Sequence, residues 1–587
     1  MLKFLFYILI ATAFSSQLSA QYYLRGEVKD EQGRPLSNIK LLLHSTGYLY
    51  YSGNQGGFGI VSTRRVDSLT LSMDGFQTLT VAVTESRYAS ITLKLLSSLQ
   101  NLQKKRLISF TRNMTTEEMT NWSVGGETYS NLVENEFIQA SKFPETGFAV
   151  NIDKASYSNV RRFINMNSTV PPDAVRIEEM LNYFNFDYKK PAHDSIFSYD
   201  SYLTGCPWNT NNQLLILKVC ARQVDLDKVP PSNLVFLIDI SGSMDMPNRL
   251  PLLKSAFKLM VNNLRDIDTV SIVVYGSTVG VWMQPTSGRE KQKITRAIEE
   301  LSPGGATAGA SGITMAYTIA KSKFIPGGNN RVILATDGDF NVGQTSEDQL
   351  ENIITQHRQT GIYLTCLGVG MGNYKDSKLE ILAKKGNGNF AYLDDEKEAE
   401  KVLVKELTQT LYTVADDAYL TISFNPAFVK QYRLIGFDNK LNAISDSTSE
   451  LEGGEVGSGH TLLAMVEILP ANSLNVVENS SSSKPFATVL LDYKTPVDTV
   501  ARTSVYNCPG TYTAFEELEK SYRFAASVVV FGSLLKKSRF ARNISWNDAV
   551  IMANECYSNQ DPLQKEFLDL LEKAKKIYAK QKRKKRP

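Results

Sequence analysis

Between Asn233 and Met244 the chain reads Asn-Leu-Val-Phe-Leu-Ile-Asp-Ile-Ser-Gly-Ser-Met, the stretch that most restricts what can fold around it. An unbroken apolar, β-branched run is a strand covered on both faces, as in a parallel sheet flanked by helices. The run stops at Asp239, and Ser241 and Ser243 follow at alternate positions around Gly242. Open α/β sheets bind ligands beyond the carboxyl ends of their strands, so these oxygens stand where chemistry is expected. They are hard donors suited to Mg²⁺, or to Mn²⁺ or Ca²⁺. Three side chains cannot close such a shell. The structural alternative is that the same residues only cap a following helix.

Two other stretches supply what is missing. Gly304 to Gly309 is a glycine-rich loop with one hydroxyl, Thr307, and Arg331 to Asp337 is a second buried-strand run ending in a carboxylate before Gly338. Between residues 232 and 414 strand-like runs at Leu234 to Ile240, Val270 to Tyr275, Val279 to Met283, Val332 to Thr336, Tyr363 to Val369 and Phe390 to Leu393 alternate with helical patterns at 250–264, 289–301, 310–323, 346–358, 376–385 and 396–411. This alternation predicts a doubly wound α/β (Rossmann-like) domain, with Val279 to Met283 as an antiparallel edge. Asp394 and Asp395 before Glu398 read as a helix start.

These residues resemble the von Willebrand factor type A (VWA) domain, whose metal-ion-dependent adhesion site (MIDAS) has the pattern Asp-x-Ser-x-Ser with a distant Thr and a distant Asp. Asp239, Ser241, Ser243, Thr307 and Asp337 fill the five places. The resemblance implies that the serines, and often the threonine, touch the metal, that the aspartates act largely through water, and that a partner's Asp or Glu completes the coordination. Asp339 and Asn341 would stand on a nearby rim.

At 587 residues the chain is multidomain. Met1 to Ala20, with Lys3, an apolar run and a small-residue end, has the layout of a secretory signal. An uncleaved anchor is the alternative. No later run approaches the roughly 20 apolar residues of a membrane span. Export implies the periplasm, the outer-membrane surface or secretion. Residues 21–96 read as short alternating strands and resemble the carboxypeptidase regulatory-like, transthyretin-like β-sandwich through Gly26, Val28, Asp30, Gly33, Pro35, Leu36, Phe58 and Asp74-Gly75-Phe76. Residues 97–135 read as a linker.

The remainder divides into an α+β domain at 136–231, the VWA domain at 232–414 and a β-rich then helical domain at 415–579. Its two flanking parts resemble those of a family of exported bacterial VWA proteins. Arg161, Arg162, Glu178 and Glu179 read as surface charges on helices whose apolar faces carry Val160, Ile164, Ile177 and Leu181. His460 reads as a structural hydrogen-bonding residue. The tail at 580–587 belongs to a basic run from Lys573 that carries nine Lys and Arg and no acid, and it is a candidate contact for anionic lipid or an envelope polymer. Five cysteines, an odd number, leave pairing of Cys206 with Cys220 or Cys508 with Cys556 open, and Cys366 reads as a buried strand residue.

A net charge of +3 over this length does not point to nucleic acid. An aspartate-dependent phosphatase would need an acid two residues after Asp239, where Ser241 stands. No His-Glu-x-x-His motif and no phosphate-loop Gly-Lys-Ser/Thr ending occurs. The expectation is a non-enzymatic, cation-dependent adhesion or scaffold protein that binds a protein or other ligand through its acidic group. An accessory or regulatory subunit of an envelope membrane complex is the alternative.

Overall fold

The computed structural model describes residues 22–94, 127–406, 412–437, 454–471 and 485–584, apart from 31–32, 34, 54, 74–75, 77, 131, 151, 187, 193–194, 226–227, 277–278, 305–308, 339–346, 372–373 and 497–499. The expected signal at 1–20 and most of the expected linker lie outside the described residues, as do Thr307, Asp339 and Asn341 and the side chains of the tail. The chain divides into two units, 1–104 and 105–587.

The first unit contains β1 (Tyr22–Lys29), β2 (Lys40–Leu43), β3 (Leu49–Tyr51), β4 (Gly57–Ser62), β5 (Val66–Ser72), β6 (Leu79–Thr84) and β7 (Ala89–Thr92). Its two sheets, β4-β1-β7 and β3-β2-β5-β6, enclose one apolar layer that includes Leu24, Val28, Leu41, Ile60, Leu69 and Leu71. Alternate residues of β1 and β5 point into that layer, the period-two pattern of a half-buried strand. Gly26 is required where it stands: a Cβ there would meet Ala89 O at 2.3 Å and the Phe58 ring at 2.6 Å.

The second unit begins with β8 (Ile138–Gln139), β9 (Glu145–Ala149), α1 (Ala155–Asn165), α2 (Ile177–Asn182), β10 (Phe197–Gly205) and β11 (Gln213–Ala221). The VWA region follows with β12 (Ser232–Asp239), α3 (Leu250–Asn262), β13 (Thr269–Tyr275), β14 (Val279–Ser287), α4 (Lys291–Glu299), α5 (Gly309–Ser322), β15 (Asn329–Thr336), α6 (Glu347–Gln359), β16 (Ile362–Val369), α7 (Asp376–Lys385), β17 (Phe390–Leu393) and α8 (Glu396–Glu400). Its strands run in the order β14-β13-β12-β15-β16-β17, all parallel except β14, which pairs antiparallel with β13. Separate apolar layers cover the two faces: Phe236 and Ile238 join one, Val235 and Leu237 the other. Both layers are needed because every residue of β12 is buried.

The helix expected over 396–411 is instead α8 followed by a π turn at Lys401–Lys405, and 407–411 lie outside the described residues. Asp395 caps α8, its carboxylate accepting the Glu398 N–H at 2.8 Å.

The chain ends with β18 (Thr413–Phe424), β19 (Val429–Leu434), β20 (Gly454–Gly457), β21 (Thr461–Pro470), β22 (Ala487–Lys494), β23 (Arg502–Cys508), β24 (Tyr512–Thr513), α9 (Lys520–Lys536), α10 (Trp546–Cys556) and α11 (Pro562–Lys584). The expected division into a domain before the VWA region and another after it gives way to one composite body. Among the described residues one sheet runs β24-β10-β11-β21-β19-β8, and a second carries β9 on β18 beside β20, β22 and β23. Strands on both sides of the insertion complete each other's ladders, so neither flank has a closed sheet alone. α9 lies buried between α2 and α10, and Phe567, Leu570 and Leu571 of α11 join the same apolar cluster. All five cysteines are buried free thiols, so neither candidate bridge is formed. Among the described residues no helix is long and apolar enough to cross a membrane.

The charges expected on helix surfaces are mostly inside. Arg161 is 3% exposed, bonded to Asp394, to Glu398 at 2.7 Å and to Glu566 of α11 at 2.9 Å. Arg162 forks onto Glu127 at 2.7 and 2.8 Å, and Arg176, before α2, pairs with Glu179 and with Asp376 of α7 at 2.8 Å. Helical spacing marks the apolar face of α1, but its polar face is covered too, by the VWA edge and α11. Removing one partner from such a network strands the others without compensation. His460 is structural as expected: its Nε2 lies 3.2 Å from Val150 O, and burial pushes its pKa down to about 4.

Arg161→Met is expected to lower unfolding free energy by about 3–5 kcal/mol, read by urea denaturation, because the facing carboxylates keep their desolvation cost. For His460, the folded state stays neutral to about pH 4 while an unfolded imidazole protonates near 6.5. The unfolded state therefore binds more protons in that window, and stability falls as pH drops through it by up to about 3 kcal/mol. Asp153 beside it, raised to about 6 chiefly by burial, works in the opposite direction. Comparison of His460→Gln with wild type isolates the histidine: the acid-side loss is expected to shrink in the variant.

Candidate metal centre

The parallel register pairs Ile238 with Ala335, so β12 and β15 leave the sheet side by side and deliver Asp239 and Asp337 to one corner. Both carboxylates are buried, at 0% and 3% exposure. Asp239 is held at both oxygens: Oδ1 accepts the Ser241 N–H at 2.8 Å and Oδ2 accepts the Thr336 hydroxyl at 2.9 Å. Burial, reinforced by the charge of Asp337, raises the Asp239 pKa, while the bonds from Ser241 and Thr336 oppose that rise. Gly338 turns the chain away with φ +84°, where a Cβ would lie 2.5 Å from Lys375 N, and its N–H donates to Thr336 Oγ1 at 3.2 Å.

Ser241 Oγ and Ser243 Oγ lie 3.0 Å apart. Neighbouring oxygens on six-coordinate Mg²⁺, with arms of about 2.0–2.1 Å, stand about 2.9 Å from each other, so the two hydroxyls fit adjacent positions on such an ion. The aspartates, one already held at both oxygens, fit the outer role that binds through water. Four of the five expected residues thus share one corner. Thr307 lies outside the described residues, although Gly304, just before that segment, donates its N–H to Ile240 O at 2.7 Å, one residue beyond Asp239. Among the described residues no group of three or more His, Cys, Asp or Glu is placed to hold a metal, so this corner offers hydroxyls and two carboxylates only.

Sequence reasoning missed one charged neighbour. Arg249, at the start of α3, donates from Nη1 to Asp337 Oδ2 at 2.8 Å and to Ser243 O, and from Nη2 to Met371 O at 2.9 Å. Its place ten residues after Asp239 carries no motif, and only the fold brings it back across the strand end. Tyr275, at the end of β13, is also buried against this corner, where Asp239 raises its hydroxyl pKa in addition to burial. Thr336→Val is expected to cost about 1–3 kcal/mol in urea denaturation, because it leaves a buried carboxylate oxygen without its donor.

Residues 233–407 match the von Willebrand factor type A domain, residues 123–216 match a second model described as von Willebrand factor, and residues 409–577 match "Uncharacterized protein YfbK, C-terminal". The uncharacterized protein YfbK of Escherichia coli is 36% identical over 471 residues, 77% of this chain and 81% of its own length. Inter-alpha-trypsin inhibitor heavy chain H2 of Mesocricetus auratus is 28% identical over 173 residues, 28% of this chain and 18% of that protein. A solved von Willebrand factor type A protein from Catenulispora acidiphila aligns over 63% of this chain and 89% of its own, at 16% identity and a TM-score of 0.39. The identity to YfbK, extending through both flanks of the insertion, means that the chain belongs to the YfbK family of VWA-domain proteins.

Proposed function

We propose that this is a non-enzymatic protein exported from a bacterial cell that binds a partner through a divalent cation, Mg²⁺ or in its place Mn²⁺ or Ca²⁺, held at a MIDAS formed by Asp239, Ser241, Ser243, Thr307 and Asp337. The observation that carries the reading is the meeting of Asp239, Ser241, Ser243 and Asp337 beyond the ends of adjacent parallel strands. The bound cation would supply a strong positive centre with few direct anionic ligands. A partner's Asp or Glu then gains a charge-assisted bond. The chain's own part is to fix the two hydroxyls, hold Asp239 through Thr336 and the Ser241 N–H, and bury the corner so that the interaction is little screened.

Catalysis is the weaker reading, because Ser241 stands where an aspartate phosphatase needs its acid. In the same proposal Met1 to Ala20 directs export to the periplasm, outer surface or medium, the N-terminal sandwich is a carboxypeptidase regulatory-like spacer, and the basic tail touches anionic lipid or polymer. The partner is a protein or other ligand bearing a carboxylate; nucleic acid is not proposed.

Mg²⁺ is expected to raise the melting temperature of the wild type and to leave Asp239→Ala and Asp337→Ala unmoved. Equal shifts in all three would remove the metal site. Retention of envelope proteins on immobilised wild type is expected to be lost with chelator and restored by Mg²⁺.

A further inference from the structure

Arg249 is built into the metal corner. Its side chain is 12% exposed and fixed by three loops: through Ser243 O after β12, through Asp337 after β15 and through Met371 O after β16. Space has been left for it. Gly370 has φ +81°, and a Cβ there would lie 2.5 Å from Arg249 Nε and 2.9 Å from its Cγ. A residue placed only to stiffen the loops would not need a permanent charge. Here the guanidinium donates directly to one of the two carboxylates.

The charge balance gives the placement a consequence. Among the described residues of the corner, two carboxylates against one guanidinium leave a single net negative charge to meet a divalent cation, so with the ion bound these groups would carry one net positive charge. Without Arg249 the same two carboxylates would neutralise the ion. We infer that Arg249 is the charge-setting residue of this site: it weakens the hold on the divalent cation and strengthens the loaded site's attraction for an incoming carboxylate. The inference rests on the proposed metal site and deepens it. Exposed Met246, two residues after Met244, and Met371, whose carbonyl holds the guanidinium, place apolar surface beside this charge. The partner segment that fits is an acidic residue with apolar neighbours.

The test separates charge from tether, using the full chain with Mn²⁺ as the metal probe and acetate as the carboxylate probe. Free Mn²⁺ is read by electron paramagnetic resonance, and acetate binding by broadening of its methyl proton resonance at site-bound Mn²⁺. Arg249→Gln keeps a hydrogen-bonding group and removes the charge. It is expected to bind Mn²⁺ about tenfold more tightly and, once loaded, acetate about fivefold more weakly, while Arg249→Lys stays near wild type in both. Circular dichroism melts report whether each variant folds. Unchanged or weaker Mn²⁺ binding in a folded Arg249→Gln protein overturns the inference and leaves the metal site standing. So does an equal loss in the Gln and Lys variants, which makes Arg249 a tether. If wild type and Asp239→Ala bind Mn²⁺ alike, the metal site itself fails and the inference falls with it.

Discussion

Two like charges buried beside each other govern the VWA corner. Asp239 and Asp337 end neighbouring parallel strands, where burial raises the cost of ionising Asp239 and the charge of Asp337 adds to it. Such a pair persists only with compensation. Two donors fix Asp239, and the Arg249 guanidinium sits on Asp337. The compensated carboxylates and the Ser241–Ser243 hydroxyl pair thus stand together at the strand ends. A hydrophobic or neutral strand end would ask for none of these contacts.

The same economy of buried charge organises the rest of the second unit. An inserted domain tied to its host only by its two chain crossings would move freely against it. Here Arg161 and Arg176 come from the segment before the insertion and reach the carboxylates of Asp394, Glu398 and Asp376 within it. Arg331 of β15 reaches out in return to Glu455 of β20 at 2.7 Å. Buried ion pairs add little net stability compared with apolar packing, but they tolerate only one register, because a shifted partner leaves a desolvated charge. The VWA region is thus registered against its host by charge, while apolar packing holds each layer together. A partner bound at the Asp239 corner would load a body whose orientation is set.

Much of this was legible in the residues. The continuous apolar runs of β12, β15 and β16 can be buried on both faces only in a covered parallel sheet, and the strands lie where the runs do. The antiparallel edge of β14 followed from a connection too short for a crossover. Asp239, Ser241 and Ser243 lie within five residues, so local spacing nearly dictates their geometry, and Asp337 was found because it too ends a buried run. Period-three and period-four patterns marked α1, but they report one apolar face and are silent about what covers the other. That is why Arg161 and Arg162 read as solvent-facing and are buried.

By itself, then, the amino-acid sequence determined which segments are strands, which faces are apolar and which oxygens end up beyond a strand, because these depend on neighbours a few residues apart. Only the tertiary structure decided that the flanks share sheets, that the helix-borne arginines are internal and that Arg249 returns to Asp337. Those facts depend on residues from 35 to more than 400 positions apart finding the same place, a matter of topology and desolvation that no local pattern encodes.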